Sequence, residues 1–237
     1  EINEARIIKD DFEINILKEA CKLTDQVFAD VLKHIKVGIS ENEINALIHY
    51  YALKAGASKL SFEPVVTSGP RTALPHGRPT DRTVQANEPI MIDFGIEYKN
   101  YQSDMTRMVF VGQPSNDMIN IYEIVKKAQQ AGVDAIKSGA LASEVDFVVR
   151  DIIEKAGYGE NYNHGLGHGI GIGDGCEYPF LNQTSKTILK DNMIMSCEPG
   201  IYVEGLGGVR IEDDVLISGG RGIPLNQTTK DMIILEV

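Results

Sequence analysis

Cysteine is scarce in this 237-residue chain: Cys21, Cys176 and Cys197 are the whole set. So few, and an odd number, imply no disulfide framework, and without a Cys-x-x-Cys pair a thiolate zinc site has no basis. No apolar run approaches the ~20 residues that span a bilayer, and Glu1-Ile2-Asn3-Glu4 does not read as a signal peptide. A reducing cytoplasm is the expected setting. Basic residues are also in the minority, 23 against 34 acidic, for a net charge of −11. Such a chain has no electrostatic reason to bind nucleic acid or an anionic membrane. Its excess acid serves solubility, gathers around cations, or does both. The hydrophobic share, 43%, is that of a globular protein. No Pro- or Gly-rich linker divides the chain, so residues 1–237 are expected to form one domain.

What is present is a pattern that occurs twice. Apolar residues from Ile14 to Ile35 recur at helical spacing, predicting a helix over Asp11 to Lys36. Ser40 and Glu43 form a capping box for a second helix reaching about Lys54, which Gly56 stops. Ile35-Lys36-Val37-Gly38 matches Ile136-Lys137-Ser138-Gly139, Glu43-Ile44 matches Glu144-Val145, and Lys54-Ala55-Gly56 matches Lys155-Ala156-Gly157, all at one offset of 101 residues. Two copies are too few for a solenoid. The reading is a duplicated α+β unit, halves about 1–113 and 114–237, packed around a pseudo-twofold axis.

Strands follow each helix pair. Pro89 to Ile96 is apolar, Tyr101 to Val111 returns, and Lys99-Asn100 is a polar turn between them. Met193 to Ile201 and Val209 to Ser218 are the counterparts. Asp93-Phe94-Gly95-Ile96 lies over Glu198-Pro199-Gly200-Ile201, and each returning strand carries a further acid, Asp104 or Glu212. With the hairpin turning near Tyr98 and Lys99, Asp93 and Asp104 would face each other at about 5 Å between Cβ atoms. Carboxylates so close on buried strands repel unless a positive charge lies between them. No basic residue on the same strands does this for both pairs. Divalent cations suit hard oxygen ligands, and four carboxylates can hold two. His164-Gly165-Leu166-Gly167-His168-Gly169 adds imidazole, which tunes an oxygen site toward transition metals. The glycines there lack the Lys-Ser/Thr of a phosphate-cradling loop. Arg210, two residues from Glu212 and on the same strand face, can hold a carboxylate ligand, meet a substrate carboxylate, or simply lie solvated.

These residues sit in longer stretches: Ser68-Gly69-Pro70; Ala73 through Thr80, reading Ala-Leu-Pro-His-Gly-Arg-Pro-Thr; Ile92 to Gly95; Ser103 to Arg107; Gly167 to Gly171; Glu198 to Tyr202; and Gly208 to Asp213. In order and spacing they resemble the pita-bread-fold metallopeptidases, the family of methionine aminopeptidase, Xaa-Pro aminopeptidase, prolidase and creatinase, and most closely its prolidase and Xaa-Pro aminopeptidase branch. The resemblance implies an α+β pita-bread fold with a curved, mainly antiparallel sheet. It implies a dinuclear centre held by Asp93, Asp104, His168, Glu198 and Glu212, with Asp104 and Glu212 bridging two divalent ions. Manganese is the expected metal, with cobalt, zinc or iron as alternatives. Glu198 would double as general acid/base, and His76 would steady the substrate or tetrahedral intermediate. The implied reaction is hydrolysis of the Xaa-Pro bond in small peptides. The other readings are a hydrolase or lyase of this fold acting on another small substrate, and a non-catalytic metal-binding relative.

One position departs from the branch, which carries a further histidine seven residues beyond the metal-binding one. Here that place is Gly175. His164 is the expected substitute in substrate binding, with Asp174 and Cys176 as alternatives. Methionine aminopeptidase chemistry is disfavoured by the loop Leu74 to Pro79. Prolidase-type proteins carry a domain before this one, so a preceding domain is expected to be absent from this chain, and a homodimer is expected of the full-length protein.

Overall fold

The computed structural model describes residues 2–173 and 176–237. Asp174 and Gly175 lie outside the described residues, and with them the departure from the prolidase branch noted above.

Helices α1 (Ile2–Ile7), α2 (Asp11–Leu32) and α3 (Glu41–Ala55) come first. Two capping boxes start the longer helices: Asp10 with Glu13, and Ser40 with Glu43. Helix α2 buries Leu17, Cys21, Thr24, Phe28 and Val31 along one face. It stops at Leu32, short of the expected Lys36. His34 and Ile35 turn their N–H groups back onto the carbonyls of Val31 and Leu32, and Gly38 follows at φ 88°. Helix α3 ends as expected, on Gly56 in the left-handed region at φ 97°.

Strands β1 (Lys59–Leu60) and β2 (Val65–Ser68) lead into β3 (Glu88–Phe94), β4 (Ile96–Tyr98), β5 (Tyr101–Gln102) and β6 (Met105–Val111). Helices α4 (Asn116–Ala135) and α5 (Ala142–Lys155) open the second half. The remaining strands are β7 (Gly167–Gly169), β8 (Glu177–Leu181), β9 (Ile194–Cys197), β10 (Gly200–Val203), β11 (Gly207–Arg210), β12 (Asp213–Ser218), β13 (Arg221–Pro224) and β14 (Ile233–Leu235). The halves repeat one plan: two helices, then a hairpin whose ladder is interrupted in mid-length. The repeat reaches the backbone, with φ of 88° and 87° at Gly38 and Gly139, and 97° and 88° at Gly56 and Gly157.

One sheet runs β14-β6-β3-β2 and another β13-β12-β9-β7-β8. Among the described residues, the strand pairs are antiparallel except β14 with β6. The last strand thus crosses back and finishes the first half's sheet. Helices pack on the sheets through a core that includes Ile44, Ile48, Ile90 and Ile92 in the first half, and Ile121, Val125, Val149 and Met195 in the second.

The first hairpin's register differs from the expected one. Asp93 pairs with Thr106, not Asp104, and Tyr98 pairs with Tyr101. The turn is Lys99-Asn100, with φ of 51° and 68°, which centres the hairpin one residue beyond the assumed point and shifts every cross-strand partner by two. A two-residue shift preserves facing, so Asp104 is a diagonal neighbour of Asp93 on the same face, across from Gly95. At Gly95 the strands pass so closely that a Cβ would lie 1.7 Å from the Ser103 carbonyl oxygen.

Candidate metal centre

In the first hairpin Asp93 lies within the ladder, paired with Thr106, and Asp104 lies at the break opposite Gly95. In the second, Cys197 pairs with Asp213 and Gly200 with Arg210, which leaves Glu198 across from Glu212. The two hairpins are therefore not copies of one carboxylate pair. Asp93 and Glu198 are equivalent, but Thr106 occupies the place of Glu212, and Asp104 that of Arg210. Duplication supplied the scaffold, and the residues on it diverged.

Asp93, Asp104 and Glu212 are buried, and one carboxylate oxygen of each lies within 4.8 Å of those of the other two. His168 extends the cluster. Its Nε2 is 3.4 Å from Glu198 Oε1 and 3.7 Å from Asp104 Oδ2. Ser196 joins the two, accepting from the His168 backbone N–H and donating to Glu198 Oε1. The structure thus brings all five expected ligands to one place.

The electrostatics of the cluster are unfavourable by themselves. Burial, then the charges of Glu212, Asp93 and Glu198, push the Asp104 carboxyl well above the usual range. Glu212 is pushed well up by burial, Glu198 and Asp93. Asp93 is raised by burial, though Arg210 opposes the shift. Burial alone would lower His168, but a hydrogen bond to Cys176 and the Glu198 charge outweigh it and lift the imidazole to about 10. Asp93 Oδ1, Asp104 Oδ1 and Glu212 Oε1 are buried with no hydrogen-bond partner. Orphaned oxygens of this kind are rare in folded proteins and ask for an explanation. A divalent cation satisfies them and cancels the repulsion, so the donor set fits a metal site.

The surrounding residues fix the carboxylates. Arg210 gives Nη2 to Asp93 Oδ2, Nε to Thr106 Oγ1, and Nη1 to Pro75 O and Tyr202 OH. All three guanidinium nitrogens are engaged inside the protein, so of the readings left open for Arg210 the structure displays carboxylate holding. Thr106 donates to Glu212, and the Asp104 backbone N–H donates to Asp214. His164 is close by, with Nδ1 2.7 Å from its neighbour's carbonyl and Nε2 2.9 Å from Tyr202 OH. Burial lowers its pKa, which favours the neutral ring.

These groups line a cavity of about 510 Å³. Phe62, Val65, Phe180 and Leu181 give it an apolar wall, while His76, Arg78, Asp93, Asp104, His164, His168, Cys176, Glu198 and Arg210 give the polar one. His76 is exposed on the loop after β2. Sequence reasoning missed how that loop is held. Glu41, fully buried, accepts from Ser68 N and Oγ, Arg71 Nε, and Thr80 N and Oγ1. Its place beside the capping residue Ser40 disguised it as an ordinary first-turn acid. Tyr202 bonds both His164 and Arg210, a place that its position in the Glu198 to Tyr202 stretch does not signal.

Residues 15–219 match Metallopeptidase family M24. An Xaa-Pro dipeptidase of Pyrococcus horikoshii is 40% identical over 98% of this chain and 66% of that protein. An Xaa-Pro dipeptidase structure from Bacillus anthracis is similar at a TM-score of 0.97 and 42% identity, over 99% of this chain and 66% of that one. A prolidase structure from Pyrococcus furiosus gives 0.94 and 41%, over 96% and 67%. The chain therefore spans about 66% of the first two relatives' length. The pita-bread fold expected from the sequence agrees with these structures. From a family match over most of its length and from these relatives, the chain belongs to metallopeptidase family M24.

Proposed function

We propose that this chain is the catalytic part of a dinuclear metal-dependent peptidase that hydrolyses the Xaa-Pro bond of dipeptides or removes the first residue of Xaa-Pro peptides. The observation that carries this is the convergence of three buried carboxylates with unpartnered oxygens beside His168 and Glu198, at the wall of a cavity large enough for a short peptide. Relatives named Xaa-Pro dipeptidase supply the substrate class.

In this reading Asp93, Asp104, His168, Glu198 and Glu212 hold two divalent ions, Mn2+ by preference, with Co2+, Zn2+ or Fe2+ as alternatives. Bound there, such ions supply Lewis acidity toward a peptide carbonyl and make water a nucleophile near neutral pH. The protein does the rest. Glu198 takes a proton at its carboxylate and passes it to the leaving proline nitrogen. Arg210 holds Asp93 in place and opposes the rise of its pKa, and Thr106 does the same for Glu212. His76, exposed at the rim, steadies the scissile carbonyl, and His164, held beside Tyr202, lines the part of the cavity that orients the substrate. The apolar wall excludes water and accepts the side chains. Unpaired cysteines suit a cytoplasmic setting, no helix among the described residues is long and apolar enough to cross a membrane, and a homodimer is proposed for the full-length protein.

Manganese-loaded protein should cleave Ala-Pro, Leu-Pro or an Xaa-Pro-Xaa tripeptide, and metal analysis should find about two ions per chain. Absence of turnover with metal bound would overturn the peptidase reading.

A further inference from the structure

A dipeptide brings a free carboxylate into a cavity whose walls already carry Glu63, Asp93, Asp104 and Glu198. Such a group needs a cation that the protein has not already used. Arg210 does not qualify: it is 2% exposed, and each of its nitrogens is bonded within the protein. Among the described residues that line the cavity, Arg78 is the other guanidinium. We propose that Arg78 is the receptor for the C-terminal carboxylate of the substrate, making the site one that prefers free dipeptides over longer or amidated peptides; this rests on the peptidase reading above.

The loop is built for this. Its backbone is pinned: Arg71 Nη2 donates to the Arg78 carbonyl at 2.7 Å, Gly77 N–H to the Leu74 carbonyl at 3.1 Å, and Thr80 to the buried Glu41. Gly77 packs so tightly that a Cβ would lie 2.4 Å from the Thr67 methyl group. The Arg78 side chain, by contrast, is 67% exposed, and its one charged partner, the equally exposed Glu63, stands at 3.9 Å. That is the far limit of an ion pair, and exposed pairs of this kind are weak. A planar guanidinium on a fixed backbone and a loosely held acid make an exchange site. The incoming carboxylate takes two parallel N–H donors in place of Glu63, a charge-assisted geometry stronger than the pair it replaces.

The test uses manganese-loaded protein and two ligands, Ala-Pro with its peptide bond reduced to CH2–N and the C-terminal amide of the same compound, titrated by calorimetry. The acid should bind the unsubstituted protein about tenfold more tightly than the amide, the range of one charge-assisted bidentate pair. Arg78→Ala should remove that preference and leave the amide's affinity unchanged, Arg78→Lys should retain part of it, and Glu63→Gln should widen it. For Ala-Pro hydrolysis, Arg78→Ala should raise KM and spare kcat. An acid-to-amide ratio that Arg78→Ala does not alter overturns the proposal, whether or not Ala-Pro is cleaved. A ratio that collapses in a protein without turnover supports the carboxylate receptor and overturns the hydrolytic reading instead.

Discussion

At Asp104 the proposed metal-binding role opposes stability. The residue's carboxyl is buried, unpartnered at Oδ1, and pushed well up by burial and by Glu212, Asp93 and Glu198. Removing that charge relieves the metal-free protein. Asp104→Asn should therefore raise the metal-free melting temperature by a few degrees, at about 2–4 °C per kcal/mol for a chain of this size, while abolishing both manganese stabilisation and peptidase activity. Differential scanning calorimetry with and without manganese checks it, and a lower metal-free Tm would show that the acid stabilises the fold. The same charges set a pH dependence. Burial lifts Asp214 from the ordinary carboxylate range to about 7, Asp93, Asp104 and Glu212 are raised, and His168 reaches about 10 despite its burial. Every one of these groups binds its proton more tightly in the folded state than in the unfolded one. Their contribution is complete below their unfolded values and is lost as pH rises through the folded ones. Metal-free protein should thus lose stability steadily from about pH 4 through pH 7 and above, and saturating manganese should flatten the slope. A Tm series across that range reads it directly.

At the scale of elements, the sequence showed the starts of α2 and α3, the stop of α3 on Gly56 and the twofold repetition, because a capping box and a left-handed glycine are local chemistry, but it ran α2 four residues past its end at Leu32. It misplaced the hairpin register. Lys99 sits at φ 51° and Asn100 at φ 68°, and nothing about a lysine announces a left-handed conformation, so the two-residue turn could be seen as polar but not centred. The acids still gathered because the error was an even number of residues. Had it been odd, Asp104 would have pointed to the opposite face. The role of Glu41, and which acid Arg210 holds, were out of reach for another reason. Their partners lie 117 residues away at Asp93 and 27 to 39 residues away at Ser68 and Thr80, and no periodicity encodes such contacts. Two predictions belong here. Gly56→Ala and Gly157→Ala each put a Cβ into open space at left-handed φ, so each should cost only the backbone term, about 1–2 kcal/mol. The two should be equal and additive in urea denaturation, as equivalent, separate positions require. Glu41→Ala is the contrary case. It strands the buried donors of Ser68, Arg71 and Thr80 and should cost about 3–5 kcal/mol, the range for breaking a buried charged pair.

The whole molecule is held at its centre by polar contacts between the halves, and the proposed metal site lies among them. Asp93 and Asp104 come from the first hairpin, Glu198, Glu212 and His168 from the second half. Around them Arg210 reaches Asp93, Thr106 reaches Glu212, Asp104 N–H reaches Asp214, and the buried Arg107 gives Nη1 to the Glu212 carbonyl and Nη2 to Asp213. A cation bound by acids from both hairpins joins them, so binding free energy becomes stability of the whole rather than of one element. At a hundredfold excess over its Kd a ligand adds about 2.7 kcal/mol. In hydrogen exchange, manganese should slow the amides of β3 and β6 together with those of β9 and β12, by a similar factor in both hairpins. Protection confined to one hairpin would mean that the acids of the other do not share the metal. Uniform protection requires the ligand set to span the halves, which is what the geometry of Asp93, Asp104 and Glu212, within 4.8 Å of one another, demands.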